Sequence, residues 1–204
     1  KDAVVKEKIS KENIYPYSIK DYNLFSRKEI DESIPKINAL RNHCILVSRK
    51  SSLPKNAIIQ DNNIVWTSGL NTWKALSKRG IWVNGSNDGM GENLNPKIES
   101  LTNNSWVKLT HVDAPQTKIK KNIATYKLFE LPIKENIADK KYFFWMSSTA
   151  FKYAYKAFPS IMKANHACGP GNTYEEIKKI IKDHKKLSIA LSYNDWKKKL
   201  LNDS

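Results

Sequence analysis

The sequence predicts an α/β protein of two lobes, each built on a mainly parallel sheet and linked to the other by extended strands. Three observations carry that prediction. Short apolar runs that read as buried strands alternate with segments of helical spacing. Each run stops at a turn of Ser, Thr, Gly or Asn. The pattern also occurs twice: Val65-Trp66-Thr67-Ser68 lines up with Trp145-Met146-Ser147-Ser148, and Gly85 with Gly169, at similar offsets. Such a chain is expected to form flavodoxin-like or Rossmann-like lobes, the first over 44–122 and the second over 123–204, preceded by an extension or linker over 1–43.

In that lead-in, Ser26-Arg27-Lys28-Glu29 reads as a capping box opening a helix with Ile30, Ile34, Ile37 and Leu40 on one stripe, kinked at Pro35. Strands follow at Cys44 to Val47, Ile64 to Trp66 and Ile81 to Val83. A helix with Leu70, Trp73 and Leu76 closes at Gly80. Trp106 to Thr110 and Asn122 to Leu131 alternate like half-buried strands. The second lobe opens with the apolar strand Tyr142 to Met146 and a helix with Phe151, Tyr155 and Phe158 on one stripe. Met162 to Cys168 reads as a strand, Thr173-Tyr174-Glu175-Glu176 as a second capping box, Leu187 to Leu191 as a strand and Tyr193 to Leu201 as a helix.

The 204 residues are 40% hydrophobic and 27% charged, which argues against general disorder. No apolar run reaches the roughly 18 residues that a membrane-spanning helix needs, and the opening residues lack a secretory apolar core. The first residue is Lys1 rather than Met, which reads as a processed chain or a piece of a longer polypeptide. Cys44 and Cys168 belong to no cysteine motif and read as free thiols of a cytoplasmic protein. The net charge of +15 rests on 35 basic residues, of which only Arg27, Arg41, Arg49 and Arg79 are arginine. Scattered lysines amid abundant Asn and Ile match an AT-rich coding bias, yet such a surface still attracts anions.

No phosphate-binding glycine loop is present, and His43, His111, His166 and His184 have no metal-ligand spacing. No cofactor or metal is expected. What remains are the strand ends, where open α/β sheets bind ligands with turn and helix-start amides. Thr67-Ser68-Gly69, Gly85-Ser86-Asn87, Ser147-Ser148-Thr149 and Gly169-Pro170-Gly171-Asn172-Thr173 all fall there. Any one of them could be a plain helix cap; four in two matched pairs point to a shared ligand cleft.

These same residues resemble uroporphyrinogen-III synthase. That family pairs a strand ending in Thr-Ser with a later strand ending in Gly, once per lobe. Ile64 to Ser68 with Val83-Asn84-Gly85 resembles the first pair, and Phe144 to Ser148 with Cys168 to Thr173 the second. Ala124-Thr125-Tyr126-Lys127-Leu128 is similar to the family's returning strand, and Ile45 to Arg49 to its opening strand. The likeness covers Cys44 onward and marks a divergent, shortened member, since Arg49 to Ile64 is too short for the family's first helix and crossing strand.

The resemblance implies a lyase of porphyrin (heme) biosynthesis, free of cofactors, that closes linear hydroxymethylbilane with inversion of the last pyrrole ring. The substrate's eight carboxylates would sit on backbone amides in the cleft between the lobes. Tyr126 is the implied catalytic residue, assisting departure of the terminal hydroxyl, and Arg49 a bidentate partner for a carboxylate. Porphobilinogen deaminase, fused or acting in sequence, is the implied partner of a monomeric chain. Two other readings compete: a basic nucleic-acid-binding protein, against which the scarcity of arginine and the lack of a binding signature weigh, and a non-enzymatic two-lobed small-molecule binder.

Overall fold

A computed structural model describes residues 9–88, 96–98, 100–116 and 120–202. The chain divides into two compact units, Lys1–Leu24 with Glu130–Ser204, and Phe25–Phe129. This differs from the expected division at 43/44 and 122/123. Ile14 and Tyr15, expected in a linker, belong to a sheet, because strand β1 (Ile14–Tyr15) pairs in parallel with β8 (Tyr142–Trp145) and Ile14 is wholly buried there.

The unit formed by Phe25–Phe129 holds a six-stranded sheet in the order β2-β7-β6-β3-β4-β5. Its strands are β2 (Phe25–Glu29), β3 (His43–Val47), β4 (Ile64–Thr67), β5 (Gly85–Ser86), β6 (Ser105–His111) and β7 (Lys120–Glu130). From β7 across to β5 every pairing is parallel. Cys44 to Val47 is buried on both faces, which explains the unbroken apolar run of the central strand. On one face Ile45, Val47, Val65, Val107 and Leu109 form the core with Ile37 of helix α1 (Ser33–Asn38) and Leu76 of helix α2 (Leu70–Ser77). On the other, Cys44, Leu46 and Trp106 meet Ile64, Trp66 and Ile98.

Two sequence expectations fail in this unit for traceable reasons. Ser26 to Glu29 forms strand β2 rather than a helix start, so pairing at the sheet edge overrides local capping chemistry. The helix begins at Ser33, and Pro35 falls in its first turn, where an absent N–H leaves no bond unmade; no kink is needed. Residues 81–84 are not a strand either. Gly80 (φ 76°) closes α2 with a Schellman turn, Gly80 N–H to the Ser77 carbonyl and Ile81 N–H to the Leu76 carbonyl. Pairing with β4 starts only at Gly85, and Trp82 is left 80% exposed.

The other unit holds a four-stranded parallel sheet, β1-β8-β9-β10, with β9 (Asn165–Cys168) and β10 (Leu187–Ile189). Phe144, Ile14 and Ala167 pack under Tyr193 and Trp196 of helix α5 (Tyr193–Asn202). Phe143 and Trp145 stack 5.4 Å apart, and Trp145 meets Phe151 of helix α3 (Ser148–Ala157) edge-on. Met162 and Lys163, expected to open the strand that ends at Cys168, instead lie in a 3-10 helix over Pro159–Lys163 begun by Pro159, and the strand starts at Asn165. Helix α4 (Asn172–Lys178) starts at Asn172 with Gly171 as its cap, so the expected Thr173–Glu176 capping box does not form. Glu176 instead takes Lys152 Nζ at 2.8 Å and Lys179 Nζ at 2.6 Å.

Cys44 and Cys168 are buried and not joined in a disulfide, burial pushing the Cys168 thiol up to about 12. No helix among the described residues is long and apolar enough to cross a membrane.

Candidate functional site

Parallel pairing brings the carboxyl ends of neighbouring strands to one edge of each sheet, and the predicted site residues occupy those edges. In the Phe25–Phe129 unit, Val47 pairs with both Thr67 and Leu109, and Thr67 with Ser86. Ser48-Arg49, Thr67-Ser68-Gly69 and Gly85-Ser86-Asn87 are therefore neighbours. In the other unit Trp145 pairs with Cys168, so Ser147-Ser148-Thr149 and Gly169 to Thr173 leave adjacent strand ends.

The side chains at these positions do less for a ligand than the sequence implied. The buried Thr67 hydroxyl donates to the Gly85 carbonyl at 3.4 Å, and the Ser68 hydroxyl to the Ser48 carbonyl at 2.5 Å. The Ser86 hydroxyl accepts from the Asp88 N–H at 3.1 Å. Asn87, 2% exposed, accepts the Trp66 indole N–H at 2.8 Å. Ser147 is a helix cap, accepting the Ala150 N–H at 3.2 Å. Ser148 and Thr149 form the first turn of α3, and Thr173 lies inside α4 rather than at its cap.

Main-chain geometry fares differently. Gly69 caps α2 and Gly171 caps α4, and neither helix start takes a side-chain cap. Gly171 requires its residue type, since its φ of 88° is disfavoured for any side chain. A Cβ at Gly169 would meet nothing within 4 Å, so the turn Gly169-Pro170-Gly171 borders open space. Helix starts without a side-chain cap leave first-turn amides available to anions.

Arg49 is half-exposed at the end of β3 and makes no ion pair among the described residues. Tyr126 lies on β7 opposite His111 of β6, where the register slips at Thr110/His111. Its ring is 3% exposed and packs 5.9 Å from the His111 ring, and no hydrogen bond engages its hydroxyl among the described residues.

Two residues of this edge were not anticipated. His111 reads in sequence as a lone histidine, and only the β6–β7 register and bulge bring it to Tyr126. Trp66 reads as a core residue, yet it also fixes the 85–87 turn: its ring lies over Gly85, and its indole N–H holds Asn87. The small residue at 85 was the visible signal. His166, in contrast, belongs to the core: it accepts the Trp145 indole N–H at 2.9 Å on Nδ1 and donates from Nε2 to the Ile161 carbonyl at 2.9 Å. Burial depresses its pKa to about 4.

No family model matches the sequence, and no curated protein matches it. Solved structures do. A triple-mutant selenomethionine derivative of uroporphyrinogen III synthase from the extreme thermophile Thermus thermophilus aligns with a TM-score of 0.57, covering 89% of this chain and 88% of that one at 7% identity. Another Thermus thermophilus uroporphyrinogen III synthase structure aligns at 0.43, with 6% identity and 86% of each chain covered. The mainly parallel sheets, their strand-end turns and near-complete coverage of both chains in the first alignment agree: this protein has the fold of uroporphyrinogen III synthase.

Proposed function

We propose that the chain is a uroporphyrinogen-III synthase, a cofactor-independent lyase that closes hydroxymethylbilane into a ring with the last pyrrole inverted. The observation that carries this reading is the pair of glycine-capped helix starts, Gly69 in one unit and Gly171 in the other, each uncapped by any side chain. A substrate whose periphery is all carboxylates is bound well by main-chain amides at helix starts, which supply direction without a buried counter-charge. The shared fold is consistent with it, and the +15 chain attracts the anion.

In this reading the terminal hydroxyl leaves to give a conjugated cation, and Tyr126 donates a hydrogen bond to the departing oxygen. The ring of His111 packs against the phenol and holds it on β7. The substituted carbon of the last pyrrole then attacks to form a spiro intermediate, which opens and recloses with that ring turned over. The uncatalysed reaction closes the same substrate without inversion. The protein's contribution is therefore a folded geometry held by several weak anion contacts, rather than a strong acid or base.

The test is a coupled assay in which hydroxymethylbilane is generated in situ, the purified chain is added and the porphyrin isomers are resolved after oxidation. The inverted isomer in excess is the expected result. Formation of the uninverted isomer alone rejects the assignment.

A further inference from the structure

The Phe25–Phe129 unit contains a concave feature that none of the strand-end turns lines. A pocket of about 580 Å³ lies beside α1, lined along β7 from Lys121 to Ala124. His43, which lines it, is the first residue of β3, and Lys121 lies at the start of β7, level with Val107.

The lining falls into two chemical parts. Val107 belongs to the core, and Leu40 and Ile123 pack against that core half-buried, so the floor is apolar surface that no element of the unit covers fully. The rim carries Lys36 and Lys121, both exposed, and neither makes an ion pair among the described residues. His43 Nδ1 lies 2.6 Å from the Arg41 carbonyl, which can only accept, so Nδ1 carries a proton.

We propose that this pocket is a ligand site distinct from the strand-end site, and that it takes a compact organic anion with an apolar body. The volume falls within the range of small-molecule sites. An apolar floor under two uncompensated ammonium groups favours a flat hydrocarbon or aromatic body carrying a carboxylate, sulfonate or phosphate. A purely polar anion would leave the floor wet, and a neutral hydrocarbon would forgo both cations. The proposal is independent of the cyclase reading, because no residue of the strand-end turns lines this pocket.

The probe is 8-anilinonaphthalene-1-sulfonate, an aromatic sulfonate of suitable size, titrated into the intact chain at low ionic strength with near-UV circular dichroism recorded alongside. A saturable fluorescence gain at one probe per chain, with the tertiary signal unchanged, is expected. Lys36→Gln with Lys121→Gln should weaken it roughly tenfold, each exposed charge contact contributing a factor of a few. The control pair Lys55→Gln and Lys78→Gln, outside the pocket, should leave affinity within a factor of two of the parent, as roughly expected for screened surface charges. Equal affinity in parent and Lys36/Lys121 variant overturns the proposal. So does an equal loss in the control pair, or a gain that appears only as the tertiary signal falls.

Discussion

Replacing Gly85 by Ala should destabilise the Phe25–Phe129 unit far more than a single methyl group normally does. A Cβ built at Gly85 lies 2.2 Å from Trp66 Cη2 and 2.3 Å from Cζ3, against the 3.4 Å or more of ordinary contact. The ring must therefore move by more than an ångström. Gly85 has no positive φ, so the backbone accepts Ala and the cost is steric. Overpacking of this kind costs about 1–3 kcal/mol. Displacing the indole also breaks its 2.8 Å bond to Asn87, whose side chain is buried, for roughly 1 kcal/mol more. A loss of about 3 kcal/mol corresponds to a fall of roughly 6–12 °C in Tm for a chain of this size. Urea unfolding followed by tryptophan fluorescence and far-UV circular dichroism measures it. Trp66→Leu in the Gly85→Ala background should recover part of the loss, since it removes the clashing ring. A Gly85→Ala protein within about 0.5 kcal/mol of the parent would show that Trp66 does not lie over this turn.

Gly169→Ala is the contrasting case: with nothing within 4 Å, stability should stay within about 0.5 kcal/mol, while the methyl entering the turn raises KM in the isomer assay roughly tenfold. An unchanged KM removes Gly169 from the site. Tyr126→Phe should lower kcat roughly 100-fold with Tm nearly constant, because the hydroxyl engages no other group among the described residues; an unaltered kcat takes Tyr126 out of the mechanism. His166 is held near pKa 4 by burial, against 6.5 for an exposed histidine. Its neutral form stabilises the fold fully above pH 6.5, and that contribution is lost as pH falls to about 4, about 3 kcal/mol in all. Denaturant midpoints across this window should show the slope in the parent and a reduced slope in His166→Gln. Glu176 is held at about 2 by hydrogen bonds from Lys152 and Lys179, but on the surface, so Glu176→Gln should cost under about 1 kcal/mol in thermal unfolding.

The sheet strands with strong apolar runs were legible because burial on both faces leaves a plain mark in sequence, as at Cys44 to Val47 and Tyr142 to Trp145. The strand at Ile14–Tyr15 was not. Ile14–Tyr15 is a two-residue strand in a polar segment, and its pairing with Tyr142-Phe143, more than 120 positions away, has no local signature. Capping boxes misled twice for one reason: Ser26 to Glu29 and Thr173 to Glu176 satisfy a local rule, while a sheet edge in one case and two lysines in the other offered more. At the candidate edges, Gly85 marks a close approach, that of the Trp66 ring, whereas Gly169 borders open space. Small residues could not show which atoms face outward. Ser and Thr were read as donors to a ligand, but a hydroxyl at a strand end finds a neighbouring carbonyl first, as Thr67 and Ser68 do.

That inward commitment changes what selects a ligand here. With Thr67, Ser68 and Asn87 engaged by the protein itself, the groups left to an anion are main-chain amides of the helix starts. On the proposed reading, such amides would hold the carboxylates of the substrate at no cost in buried charge. Ser68→Ala should accordingly weaken substrate binding only through a loosened turn, so any rise in KM should track a fall in Tm. A large rise in KM at constant Tm would place the Ser68 hydroxyl on the substrate and make the site a side-chain one.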